Sequence, residues 1–362
     1  MEMNMLKYSG LALILAAVFP ATAEVITIGK GSGIVWEGMP FNQTLSSPMY
    51  NSQLRARYGL LSISTNSIGC MLSDNLKQIG GYMALPLGNT GTGLIPRSTG
   101  SASYYRQNTS VQQTLTGTIG IPETTGTTSE GESITSPGAY GWCLPPSMTD
   151  DTSFYSPLAN RTASISGTWV IVADGNQKSE QVVVPAMYFG SYSSVSKGDQ
   201  TISILPSNIT LRISALECTV NTPTAIDFKN VMRNTQAGAQ LATLTYPLIT
   251  NCGQPNDKIN ANINLQFRAL TGLDSGNAAR LALRQGGGWV TGEISDGATG
   301  SGACTSSSGI PFDNKSVKLG SISSAETSKS LNHLVTWRLC SAGSSLPQGS
   351  VDAAAEMLVT FN

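Results

Sequence analysis

The sequence predicts an all-β protein made of two β-sandwich domains. Three observations carry that expectation. No long stretch repeats its apolar residues at helical spacing, whereas short β-rich runs recur between clusters of Gly, Pro, Asn and Ser. Charged residues make up 12% of the chain and Gly numbers 38, a polar but weakly charged make-up that suits many turns; an ordinary domain is about 25% charged. The length of 362 residues exceeds what one small core organises and fits two.

In chain order, residues 1–23 read as an export signal. Lys7 supplies the positive start, "LALILAAVF" the apolar run, and Ala21-Thr22-Ala23 a small-residue cleavage site. The run is too short to span a bilayer. Residues 24–206 read as a first domain, 207–216 as a linker and 217–362 as a second domain. Within the first, Thr168 to Ala173 and Gln181 to Tyr188 read as a hairpin turned at Asp174-Gly175. "QTISILPSNITLRIS" reads as a strand pair broken at Pro206. Gly117 to Gly138, almost all turn and polar residues, reads as a long exposed loop.

Six cysteines, Cys70, Cys143, Cys218, Cys252, Cys304 and Cys340, follow the signal. An even number in an exported chain favours disulfides, and the absence of Cys-x-x-Cys weakens redox and zinc readings. Sequential pairing keeps each bridge within one proposed domain.

The second domain closes on "QGSVDAAAEMLVTFN". Val351, Ala353, Ala355, Met357, Val359 and Phe361 alternate with mostly polar neighbours, the pattern of a half-buried strand. No onward partner strand is encoded after it. The domain opens on "ECTVNTPTAIDFKNV", and a second cysteine arrives in "LTYPLITNCG". With Gly349 near the end and an aromatic, Phe361, second to last, this half resembles the pilin domain of chaperone–usher fimbriae. The Cys304–Cys340 pair is an addition to the simplest pilin pattern.

The resemblance implies an immunoglobulin-like sandwich that lacks its final strand, with a disulfide tying its first strand to the neighbour. Ala355, Met357, Val359 and Phe361 would then face an open groove. The strand that fills it would come first from a periplasmic pilus chaperone and later from an adjacent fimbrial subunit, with an outer-membrane usher guiding assembly. The carboxylate of Asn362 would be held by basic chaperone residues. A whole domain stands where a shaft pilin carries its donor extension. The resemblance therefore implies a subunit that accepts a strand without passing one on: a tip adhesin, with the first domain gripping a host glycan receptor. A minor pilin that starts assembly without binding a receptor is the alternative.

The first domain is similar to fimbrial lectin domains in size, β-richness and a single long disulfide loop. "YGWCL", Tyr140 to Leu144, is similar to a Gly-Trp-Cys of some GlcNAc-binding fimbrial lectins, whereas "LGNTG" carries Asn89 where an Asp is expected. Sugar sites combine planar hydrogen-bonding groups with an aromatic face. The candidates are Asn89 and Thr90, the cluster Tyr104, Tyr105, Arg106, Gln107 and Asn108, then Trp142 and Asp150. For each, a place in the core or in a solvated loop is the competing reading. Trp142, beside Cys143, also reads as packing on the disulfide, and Trp36 and Trp169 read as core.

Several classes are disfavoured. The net charge of −1 and the lack of a basic block argue against a nucleic-acid partner. One histidine, His333, would have to serve any Ser-His-Asp triad or His-based metal site. No Gly-x-Ser-x-Gly or His-Glu-x-x-His occurs, and "GKGSGI" and "GNTGTG" lack the P-loop Lys-Ser/Thr. The reading is of a non-enzyme with neither cofactor nor metal.

Overall fold

The computed structural model describes residues 24–48, 59–107, 109, 111–149, 154–156, 158–192 and 200–362. The stretch 1–23 read as an export signal, Asn108 and Asp150 lie outside these residues. Within them the chain is all-β, with only two short 3-10 turns.

The first half is built on one long strand, Asn160–Asp174. It lies antiparallel between Ser32–Pro48 and Thr92–Tyr105. Its first part alternates, with Arg161, Ala163 and Ile165 buried. From Trp169 to Ala173 every residue is buried, so that end is covered on both faces and the period-2 signal disappears. Beyond Thr92–Tyr105 the sheet continues through Gln112–Gly120, Thr125–Thr128 and Ser133–Thr135. A four-stranded sheet packs opposite, ordered Cys143–Leu144, Leu61–Ser64, Met187–Ser191, Gln200–Leu205. Leu61, Ile63, Leu115, Ile165, Trp169 and Phe189 form part of the core between them.

Three sequence expectations are corrected here. The segment 117–138 is not a loose loop, because Thr125–Thr128 pairs with both Gln112–Gly120 and Ser133–Thr135. Alternate Thr and Gly residues hide this strand signal. The expected hairpin does not form: Gln181–Val183 pairs with Ile209–Ile213, and Met187–Ser191 pairs with Leu61–Ser64 and Gln200–Leu205. Asp174 does turn the chain, its Oδ1 accepting from the Asn176 N–H at 2.8 Å. Pro206 likewise separates two strands that do not pair with each other.

The stretch 207–216 is also more than a linker. Ile209–Ile213 forms the middle of a three-stranded sheet, parallel to Glu24–Ile28 and antiparallel to Gln181–Val183. Ile209, Leu211 and Ile213 are buried in the first-half core.

The second half is a sandwich of five strands against three. The larger sheet is ordered Glu217–Asn221, Gln240–Gly253, Ser328–Ser341, Gly288–Ile294, Leu281–Ala282. The smaller is Asp313–Ile322, Ala261–Ala269, Ala355–Phe361. The disulfides are Cys70–Cys143, Cys218–Cys252 and Cys304–Cys340, the sequential pairing. Cys218 and Cys252 are register partners on adjacent strands, so that bridge ties the first strand of the half to its neighbour.

Candidate functional site

Ala355–Phe361 forms an edge. Among the described residues it pairs only with Ala261–Ala269, in register from Ile263↔Phe361 to Ala269↔Ala355. The Asn262 N–H donates to the Asn362 carbonyl at 2.7 Å and the Leu270 N–H to the Ala354 carbonyl at 2.8 Å. In an antiparallel ladder, residues that point their backbone groups at the partner alternate with residues that point them away. Asn362 and Ala354 fix the parity. Ala355, Met357, Val359 and Phe361 therefore turn N–H and C=O toward the open side.

Beside this edge lies a cavity of about 1280 Å³. Ala353, Ala355 and Met357 line one wall. The floor includes Phe267, Phe312 and Trp337, whose ring centroids stand 6.3–6.4 Å apart. The opposite wall is the irregular segment 222–231, which contributes Ile226 and Phe228. Met357 is 36% exposed although apolar. Val359 packs between two clusters of the core, and Phe361 is buried against Leu216, Cys252 and Ile263. The expected alternation is thus graded: Ala355 and Met357 face the opening, while Val359 and Phe361 close its far end.

Gly349, also on the lining, has φ +95°, in the left-handed region that glycine adopts without a Cβ penalty. The chain turns there into the groove strand. Asp352 at the rim accepts from Gln285 Nε2 at 2.7 Å and Arg284 Nε at 3.0 Å. Those bonds, Gln285's first, hold its carboxyl below the usual carboxylate range.

In the first half the structure scatters the residues singled out for ligand contact. Tyr104 is fully buried, its ring 5.9 Å from Phe154 and 5.7 Å from Tyr155, and burial pushes its phenol pKa upward. Thr90 is buried as a turn staple, bonded at 2.7 Å to the Leu87 carbonyl and to the Thr92 hydroxyl. Trp142 is 3% exposed and belongs to the core. A buried ring or hydroxyl presents no face to a ligand, so these three leave the candidate surface. Trp169 is core as expected, whereas Trp36, also expected there, packs half-buried against the core cluster.

The exposed candidates fall at opposite ends of one strand. Asn89 precedes Thr92–Tyr105 and Arg106 follows it. Fourteen residues of strand separate them by on the order of 40 Å, so they cannot share a sugar-sized site. The Arg106 end is the richer one. Arg106 Nη1 lies 3.1 Å from Glu130 Oε2, and its guanidinium stacks 4.8 Å from the Phe154 ring centroid. Glu130 also accepts from Gln113. The Ser156 N–H donates to the Tyr105 carbonyl at 2.8 Å and the Gln107 N–H to the Phe154 carbonyl at 3.0 Å. The Tyr105-Arg106-Gln107 turn is thereby pinned beside residues 154–156. Glu130 and Gln113 were not singled out by sequence; only the strand pairing brings them to Arg106.

His333 sits elsewhere, its Nδ1 3.2 Å from Asp296 Oδ2 and its Nε2 3.1 Å from the Leu319 carbonyl. Among the described residues no three His, Cys, Asp or Glu gather as a metal-binding group.

No protein-family model matches the chain, and no curated protein matches it. Solved structures do. The P pilus rod subunit PapA is 13% identical, with 40% of this chain and 99% of that one covered and a TM-score of 0.26. The tip adhesin CupB6 from Pseudomonas aeruginosa is 11% identical, covers 91% of this chain and 87% of its own, and gives a TM-score of 0.28. A chaperone–tip adhesin complex of CFA/I fimbriae biogenesis is 12% identical, at 93% and 95% coverage and a TM-score of 0.25. Among solved structures, then, the chain is similar to a pilus rod subunit and to fimbrial tip adhesins, at low identity.

Proposed function

We propose that the protein is a fimbrial adhesin whose second half, residues 217–362, is completed by a strand from another protein. The observation that carries this is the open edge of Ala355–Phe361 over an apolar cavity of about 1280 Å³. Among the described residues no strand pairs with the backbone groups of the four outward-turned residues, and the floor offers aromatic and aliphatic side chains. An extended segment with apolar residues at alternate positions satisfies both at once. Each apolar side chain that docks contributes about 1.5–3 kcal/mol, so a few in register outweigh the cost of ordering the segment. A pilus chaperone and then an adjacent subunit are the proposed donors, the usher the proposed site of exchange.

The chain preceding Cys218 is not free to be donated, because Ile209–Ile213 is built into the first half. This supports an accepting subunit at the fibre tip. The first half is the proposed receptor-binding part, with host glycans as the ligand class. Its surface of choice is Tyr105, Arg106 and Glu130, where the two charged groups are held in place from beneath by the buried Gln113 and Phe154.

A synthetic extended peptide with Val or Ile at alternate positions tests the groove. It is expected to bind the full chain and to slow amide exchange at Met357 and Val359. Failure to protect those amides at saturating peptide would remove the strand-accepting reading.

A further inference from the structure

The groove strand has two faces with different neighbours. Ala355 and Met357 look into the groove. Glu356, between them, looks the other way, and its Oε2 lies 2.9 Å from Nη1 of Arg97 in the first half. The same Nη1 lies 2.9 Å from Glu37 Oε2. Glu37 Oε1 accepts from Thr168 Oγ1 at 2.5 Å and stands 3.8 Å from Arg268 Nη1. Arg268 is the register partner of Glu356, and Gln266 Nε2 reaches the Glu37 carbonyl at 3.4 Å. Two charges of the first half thus interlock with two of the second.

The cluster is deeply buried on the first-half side, where the Glu37 and Arg97 side chains are 4% and 7% exposed. A buried charge deprived of its partner is strongly unfavourable, so the interlock is either made or lost as a unit. Its weak member is Glu356. That side chain is 35% exposed, and it rides on a strand that, among the described residues, pairs along one edge alone.

We infer that the groove strand couples occupation of the groove to the orientation of the two halves. A donor strand bonded to Ala355, Met357 and Val359 restrains the backbone of Glu356, which lies among them. That holds the carboxylate on Arg97 and keeps the interlock closed. The coupling is reciprocal: breaking the interlock loosens the strand. The inference rests on the strand-accepting reading above, and its test separates the two.

Spin labels on the full chain, at Ser101→Cys in the first half and Lys318→Cys in the second, report the spread of interdomain distances. With the alternating peptide bound, that spread is expected to narrow about twofold. In Arg97→Met, and in the milder Glu356→Gln, saturating peptide is expected still to protect Met357 and Val359, at weaker affinity, but without narrowing the spread. Protection with no narrowing in the unsubstituted chain, or equal narrowing in both variants, overturns the coupling and leaves the groove standing. No protection at all removes the groove reading and the coupling with it. Without peptide, about tenfold faster exchange at the inward-bonded amides of Leu358 and Thr360 in Arg97→Met supports the link from interlock to strand, and unchanged exchange overturns the coupling.

Discussion

Glu37 shows how much a residue's surroundings outweigh its identity. It is a carboxylate on a strand whose adjoining residues are half-buried, yet it is itself buried between the two halves. Burial raises its pKa, against the lowering pull of the Thr168 hydroxyl and the Arg97 guanidinium. The folded chain therefore holds this proton more tightly than the unfolded chain. Stability from this group is present at low pH and lost as pH rises through the raised value. Glu37→Gln removes the titrating group and leaves the others in place. The Tm of the native protein minus that of Glu37→Gln should therefore grow as pH falls from neutral into the carboxylate range. A difference that shrinks on acidification would show that the ion pairs, not burial, dominate. The same contrast explains why Tyr104, Thr90 and Trp142 were unreadable as surface or core: an aromatic or hydroxyl name is compatible with both, and only packing against Phe154, Leu87 or the rest of the core decides.

At the scale of the element, period-2 alternation marked the groove strand, and its backbone does run as Ala355–Phe361. What alternation leaves out is the parity of hydrogen bonding, which the Asn262–Asn362 and Leu270–Ala354 bonds supply. Met357 follows from that parity: its side chain lines the groove and its backbone faces the open edge. Met357→Asp should weaken capture of the alternating peptide at least about tenfold, the loss of one docked apolar side chain. Because Met357 is 36% exposed in the free chain, folding stability should change by no more than about 0.5–1 kcal/mol. Equal peptide affinity in that variant would place the binding elsewhere. The missed hairpin is an error of the same scale. Gln181–Val183 is a strand, as β-rich composition indicates, but its partner is the distant Ile209–Ile213. Composition reports strand character; the partner is a non-local choice made by the whole core.

For the whole molecule, the two halves meet closely. A Cβ on Gly29 would collide with the Leu216 carbonyl and come within 2.9 Å of the Phe361 ring, and Arg212 pairs with Asp257 across the junction at 3.6 Å. The ionic contacts sit near one end of the first half. Ile95, level with Glu37 through Val170, is ten residues, or about 33 Å, from Tyr105. The Arg106 surface is therefore the far end, suited to meet a receptor, and the Asn89 turn is the near end. Arg106→Ala and Tyr105→Ala should abolish adhesion in a glycan-array or cell-binding assay, whereas Asn89→Ala should leave it intact. Adhesion untouched by all three would favour a subunit that builds the fibre without a receptor. The boundary is testable too. A fragment of residues 24–206 lacks a core strand and should aggregate, whereas 24–216 should give a cooperative melt; equal behaviour would show that Ile209–Ile213 is dispensable.

The sequence by itself determined the all-β class and the alternating strand at the groove, and it favoured the pairing of neighbouring cysteines that the structure shows. These are local or near-local properties: periodicity of side chains, spacing along the chain, and composition. Only the tertiary structure decided which strands are partners, that Ile209–Ile213 belongs to the first half, and which of the singled-out side chains reach solvent. It also set Glu130 and Gln113 beside Arg106, and Glu37 and Arg97 beside Glu356. Those placements depend on contacts between residues tens to hundreds of positions apart, and no window along the chain contains both members of such a pair.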